Sequence, residues 1–269
     1  MPLLLPLLLP LLLSLVTESL AAPAAPAVPA APPATAAPAL SSEPVRLAGA
    51  TGPIVVTVVY HGTVRIEAGG KVLWIDPWIK GNLEGPKADL LLITDIHGDH
   101  LDMDAIAKVR KPETLVVAPA AVAAAQPPLK VDRPLANGES ADLLGVHIEA
   151  VPMYNLTRGP SAGALFHDKG RGDGYLLTID GKKIYIAGDS ECTPEMKALR
   201  GVDLALIPMN LPYTMPPEEA AACVAAFKPR QVVPYHYSGS DLSLFTKGLA
   251  GVSGVEVVLR EAYLGGLPW

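Results

Sequence analysis

The chain has 269 residues, half of them hydrophobic, with 21 basic against 27 acidic side chains and a net charge of −6. That length holds one large domain or two small ones, with a sizeable core. The acidic balance offers no basic face for nucleic acid, and no nucleic-acid partner is expected.

Residues 1–44 differ from the rest: they contain no Lys, Arg or His and are mostly Leu, Ala and Pro. Leu3 to Val16 is an apolar run of signal-core length, too short to span a bilayer. Ser19-Leu20-Ala21 supplies the small residues that a signal peptidase accepts. Residues 1–21 are therefore read as a signal peptide, with export to the periplasm or the cell exterior and no integral membrane segment in the mature chain. Positive charges before the apolar core are missing, so a low-complexity start without a targeting role is the alternative. Residues 22–44 read as an Ala/Pro tether. The folded body is placed at residues 45–269, where 25 acids face 21 bases once Glu18 and Glu43 are set aside.

In the body, Ile54 to Tyr60, Thr63 to Glu67 and Lys71 to Ile75 are β-branched runs separated by His61-Gly62 and Gly69-Gly70, the pattern of an antiparallel meander. Strands follow at Leu90 to Ile93 and Leu115 to Val117, with an amphipathic helix between them at about Met103 to Val109. His147 to Val151, Tyr175 to Ile179 and Lys183 to Ala187 form a second strand series, with the Asp180-Gly181 step marking a hairpin. Leu204 to Pro208 and Gln231 to Pro234 are buried-type strands flanking a helix from about Pro217 to Phe227, whose first turn carries Glu218 and Glu219. Strand-rich then mixed β/α order thus occurs twice, before and after about Asn137. Two such halves predict two mixed β-sheets packed face to face with helices outside, a four-layer α/β sandwich.

Four strand ends carry candidate chemistry. After Leu90-Leu91-Leu92-Ile93 come Asp95, His97, Asp99 and His100 within six residues. Polar groups packed that densely after a core strand repel one another unless a cation compensates them. A solvated turn with Asp99 or Asp102 as helix cap would need only one of each type. Asp189 ends the Ile184 to Ala187 strand after Gly188, either as a carboxylate able to bridge two cations or as a cap for a short helix near Thr193 to Leu199. His236 ends a third strand between Tyr235 and Tyr237. Asp76 follows Ile75 and is expected to orient a ligating His rather than bind metal. Cys192 and Cys223 lack the close Cys or His neighbours of a thiolate metal site, and either pair or stand as separate thiols. His61 is either at the cleft edge or a plain hairpin residue, His147 is read as packed within its strand, and Gly170 to Gly174 as a turn. Residues 154–174 form a candidate lid in which Arg158 and Lys169 could meet an anionic substrate.

Ile75-Asp76-Pro77, the Thr-x-x-His-Gly-Asp-His run from Thr94, Ala187-Gly188-Asp189, Tyr213-Thr214-Met215-Pro216 and Pro234-Tyr235-His236 resemble, in order and spacing, the metallo-β-lactamase-fold hydrolases, nearest the ascorbate-phosphate lactonase-like branch. The resemblance implies an αββα catalytic domain over residues 45–269 with a binuclear site between the sheets. Two departures stand out. The motif's usual first His is Asp95, which suits zinc and still better manganese or iron. The usual third-His segment reads Pro152-Met153-Tyr154-Asn155, which leaves His167 as the substitute. The implied ligand set is His97, His167 and Asp95 on one metal, Asp99, His100 and His236 on the other, and Asp189 bridging. Two divalent cations, zinc first, would lower the pKa of a shared water to about 7. Asp99 is the catalytic candidate, orienting that water and moving its proton. The expected function is hydrolysis of a small-molecule ester, lactone, amide or phosphodiester. A non-catalytic metal-binding protein and a metal-dependent nuclease on the same scaffold are the alternatives.

Overall fold

The computed structural model describes residues 39–263. The signal-peptide assignment, and all but the end of the tether, lie outside these residues. The end of the tether joins the body: Ser41 bridges Arg260 and its carbonyl accepts from the Glu261 amide at 2.9 Å.

The first sheet runs in chain order through β1 (Val45–Ala48), β2 (Pro53–Tyr60), β3 (Thr63–Ala68), β4 (Lys71–Ile75), β5 (Leu90–Leu92), β6 (Leu115–Pro119) and β7 (Arg133–Leu135). The second contains β8 (Ser140–Leu143), β9 (Val146–Met153), β10 (Gly172–Ile179), β11 (Lys182–Ile186), β12 (Leu204–Pro208), β13 (Gln231–Tyr235) and β14 (Glu256–Val257), also in sequential order. Each sheet begins as an antiparallel meander and continues as parallel strands, the change coming at β4 in one and β11 in the other. The two halves of the chain therefore repeat one plan, and the division falls between Leu135 and Ser140, as the sequence indicates.

Residue alternation creates the layers. Leu90 and Leu92 point into a core shared with Ile148, Leu177, Ile186 and Leu206 of the other sheet. Leu91, on the opposite face of β5, packs beneath α1 (Met103–Val109) and α2 (Ala120–Ala125), against Ile106 and Val122. Tyr185 and Ala205 face outward from the second sheet onto α3 (Pro194–Ala198), α4 (Pro217–Phe227) and α5 (Leu242–Gly248), meeting Met196, Val224 and Phe245. All three leucines of β5 are wholly buried, so this strand has no solvent face, as in parallel strands covered on both sides. Helix, sheet, sheet, helix is the four-layer sandwich expected.

Some local expectations change. Asp102, not Asp99, caps α1, accepting from the Asp104 and Ala105 amides. Thr193 caps α3, which removes that role from Asp189. His147 is not packed: its side chain is 40% exposed and pairs with Asp142 at 2.8 Å. β10 starts at Gly172, inside the segment read as a turn. Cys192 and Cys223 form a disulfide that joins the loop after Asp189 to α4. No helix among the described residues is long and apolar enough to cross a membrane.

Candidate metal centre

Parallel strands release their C-terminal ends toward one crevice, where the loops between strand and helix can aim side chains. Here β4 delivers Asp76, β5 delivers Asp95 to His100, β11 delivers Asp189, β12 delivers Asn210 and β13 delivers His236. The β2–β3 hairpin adds His61 and the segment before β10 adds His167. Among non-glycine residues, His61, Asp76 and His236 have φ of 50°, 45° and 46°. Left-handed backbone at side chains of this kind costs on the order of 1–3 kcal/mol each, and the surrounding structure holds it. His236 is pinned by its amide donating to the His61 carbonyl at 3.0 Å, and His61 by donating to Ala262 at 2.9 Å.

Three buried imidazoles are tethered through Nδ1. His100 Nδ1 lies 2.8 Å from Asp76 Oδ2, a carboxylate that also accepts from the Thr94 amide and hydroxyl. His167 Nδ1 is 2.7 Å from Asn155 Oδ1, which also accepts the His167 amide. His236 Nδ1 is 2.9 Å from Asn210 Oδ1. Facing an acceptor, Nδ1 carries the proton of a neutral ring, which turns the Nε2 lone pair toward the crevice.

Those lone pairs converge on carboxylates. Asp189 Oδ2 is 3.4 Å from both His100 Nε2 and His167 Nε2, and its Oδ1 is 3.2 Å from His236 Nε2. Asp99 Oδ2 lies 3.3 Å from His236 Nε2, 3.3 Å from His61 Nε2 and 3.7 Å from His100 Nε2. His100 Nε2, His167 Nε2 and Asp189 Oδ1 are nevertheless buried without a hydrogen-bond partner. Buried polar atoms are normally satisfied, so acceptor facing acceptor at these distances fits a cation between them. Among the described residues two such groups occur: Asp99, His100, Asp189 and His236; and Asp95, His97 and His167. Asp189 touches members of both.

Electrostatics follow the same pattern. Burial pushes Asp99 and Asp189 upward, but the facing imidazoles outweigh it and hold both carboxyls well below the usual range. For Asp95, burial is likewise overcome by His97, His100 and His167, and the group falls to about 2. Burial and the neighbouring His236 depress His61 to about 4 against the pull of Asp99. Three carboxylates are thus held ionised and His61 neutral, whereas for His100 the lowering by burial is outweighed by Asp99, Asp189 and Asp76, which raise it well above the ordinary imidazole range.

Of the residues proposed from sequence, Asp99, His100, Asp189 and His236 come together, as do Asp95, His97 and His167, with Asp76 behind His100. His61 is both hairpin residue and member of the site. Its Nδ1 lies 2.7 Å from Tyr263 Oη, and its ring is 3.5 Å, centroid to centroid, from that of His236. A histidine at a tight turn is the only sequence signal for it. Asn155, Asn210 and Glu191 were not visible in the sequence. Glu191 accepts from Asn155, Thr157 and Arg158, fastening the 154–171 loop beside the site. Arg158 and Lys169 are engaged by carboxylates of the fold: Arg158 pairs with Glu191 and Glu219, and Lys169 with Glu195. Above the cluster a cavity of about 520 Å³ opens, with His97, Asp99, His167, Asp189 and His236 at its floor and Trp78, Phe166 and Tyr213 in its wall.

An αββα sandwich with imidazoles and carboxylates gathered at the ends of both sheets defines a metal-dependent hydrolase of the metallo-β-lactamase fold. Residues 55–236 match the beta-lactamase superfamily domain, and the chain belongs to that family. It is 35% identical over 198 residues to a UPF0173 metal-dependent hydrolase of Geobacillus sp. (strain WCH70), covering 67% of this chain and 85% of the relative. A UPF0173 metal-dependent hydrolase of Thermococcus kodakarensis is 36% identical over 197 residues, with 69% and 85% covered. Among solved structures, a candidate metal-dependent hydrolase of Parabacteroides distasonis superposes with a TM-score of 0.75 at 36% identity, covering 82% of this chain and 99% of that one. Igni18, a metallo hydrolase of Ignicoccus hospitalis, gives a TM-score of 0.64 at 25% identity, with 78% and 95% covered. These likenesses establish the superfamily and metal-dependent hydrolysis, not a lactonase-like branch.

Proposed function

We propose that this protein hydrolyses a small, uncharged ester, lactone or amide that carries an aromatic or apolar group, using water activated by two divalent cations. The observation that carries the reading is the set of buried, partnerless Nε2 and carboxylate atoms facing one another at the strand ends. Asp99, His100 and His236 would hold one cation, His97 and His167 with Asp95 the other, and Asp189 would serve both. When bound, such cations supply an acidified water near neutral pH and a Lewis acid for the substrate's carbonyl. The donor set is rich in imidazole, which suits zinc, while its three carboxylates also admit manganese or iron.

The protein's own part is positioning. Asp76, Asn155 and Asn210 fix the histidine tautomers, and Asp99, 21% exposed at the cleft and kept ionised, receives the proton of the attacking water and passes it to the leaving group. Trp78, Phe166 and Tyr213 offer flat apolar surface, with the Phe166 and Tyr213 rings edge to face at 5.0 Å. Among the described residues, no Lys or Arg lines the cavity. The cations of the adjoining loops are engaged, Arg158 and Lys169 with glutamates and Lys80 over the Trp78 ring at 4.8 Å. A phosphodiester would therefore find no side-chain counter-charge beyond the metals, which supports a neutral acyl substrate. Export to an oxidising compartment is part of the proposal, supported by the apolar leader and the Cys192–Cys223 disulfide.

The test is turnover of p-nitrophenyl phenylacetate, an aromatic lactone and bis-p-nitrophenyl phosphate by protein supplied with zinc, manganese or iron. Metal-dependent ester or lactone cleavage that disappears in His236→Ala is expected. Preferential cleavage of the phosphodiester would refute the substrate assignment.

A further inference from the structure

We infer that the two cation positions are unequal, because Arg171 already neutralises Asp95 and so weakens the position formed by Asp95, His97 and His167. This inference rests on the two-cation reading above. Arg171 Nε is 3.1 Å from Asp95 Oδ1 and Nη2 is 3.0 Å from Asp95 Oδ2, a two-pronged guanidinium–carboxylate pair. Asp95 Oδ2 also lies 2.8 Å from His97 Nδ1, so both oxygens of this wholly buried carboxylate are in use. The chain is built for this approach. A Cβ on Gly172, the residue after Arg171, would lie 2.8 Å from the Thr94 carbonyl oxygen and 3.3 Å from Asp95 Oδ1. Only glycine lets β10 bring Arg171 so near.

The other position has no such competitor. Among the described residues, every ion-pair partner of Asp99 and Asp189 is an imidazole, and none is Lys or Arg. An imidazole gives up its proton to a metal, whereas a guanidinium stays charged at any working pH. A divalent ion reaching Asp95 must share the carboxylate with a fixed positive charge and meet its repulsion in a poorly solvated site. The cation held by Asp99, His100 and His236 therefore binds first, and the second follows only as metal concentration rises. Were Arg171 merely an orienting group for Asp95, its removal would weaken the second cation, as loss of outer-shell partners does. The two roles have opposite signs.

The experiment is calorimetric titration of the chelator-stripped full chain with Mn²⁺ alone. Wild type is expected to take up metal in two steps whose affinities differ about tenfold or more, the weaker step vanishing in His167→Ala. Arg171→Gln should tighten the weaker step about tenfold, while Arg171→Lys, which keeps the charge, leaves the separation largely in place. Two equal steps in wild type, or an Arg171→Gln step that is unchanged or weaker, would overturn the inference and leave the two-cation reading standing. Absence of Mn²⁺ uptake by wild type would overturn both. If the Arg171 variants do not fold, two equal steps in the wild-type isotherm still overturn the inference.

Discussion

Breaking the Cys192–Cys223 bridge should cost a large share of the body's stability. The two residues are 31 apart in sequence, and closing a loop of that length removes about 12 cal/mol/K of chain entropy from the unfolded state, or about 3.7 kcal/mol at 25 °C. For a body of this size each 1 kcal/mol moves the melting temperature by about 2–4 °C, so a fall of roughly 7–15 °C is expected. The bridge also has a local role. Cys192 lies three residues beyond Asp189, and its partner sits in α4, so the crosslink anchors the loop that delivers the central carboxylate. Urea unfolding of wild type with and without dithiothreitol, beside Cys192→Ala/Cys223→Ala, measures the effect. Reduced wild type and the double variant should share a lowered midpoint, and oxidised wild type should stand apart from both. A midpoint that ignores reductant would refute the crosslink, and with it one support for an oxidising compartment.

Two further outcomes follow from groups around the site. Burial raises Asp173 to about 7, with Asn137 opposing and Glu139 adding to the rise. Its folded value lies above its unfolded one, so ionisation opposes folding, and stability is lost as pH climbs from about 4 to about 7. Asp173→Asn should therefore gain stability at pH 8, by up to about 4 kcal/mol, and much less at pH 5; equal urea midpoints shifts at both pH values would contradict this. Asp76→Asn leaves the shape intact but removes the carboxylate behind His100, and should weaken divalent-cation binding about 10- to 100-fold by calorimetry. Unaltered affinity would show that Asp76 has only a structural part.

The sandwich was legible because its signals are local. Apolar runs such as Leu90 to Ile93 and Leu204 to Pro208 read as buried strands, and the Asp180-Gly181 turn fixed one hairpin before any contact was known. The short edge strands β1, β7, β8 and β14 were missed, being two to four residues long and lacking the apolar run of the central strands. At the site, the ligand-type residues stood out because they crowd the ends of greasy strands. Their supports did not. Asn155 and Asn210 look like ordinary loop residues, and only folding puts them 2.7 Å and 2.9 Å from the His167 and His236 rings. The Arg171–Asp95 pair spans 76 positions and carries no local signature. The glutamate partners of Arg158 and Lys169 are likewise brought in by the fold and leave no local signature.

Elemental analysis of the purified full chain, beside His100→Ala/His236→Ala, addresses the metal centre most directly. About one to two equivalents of zinc, manganese or iron per wild-type chain are expected, with loss from the variant. A wild-type protein that cleaves its ester substrate while free of metal, or a variant that keeps its full complement, would contradict the reading of these strand-end imidazoles as cation ligands.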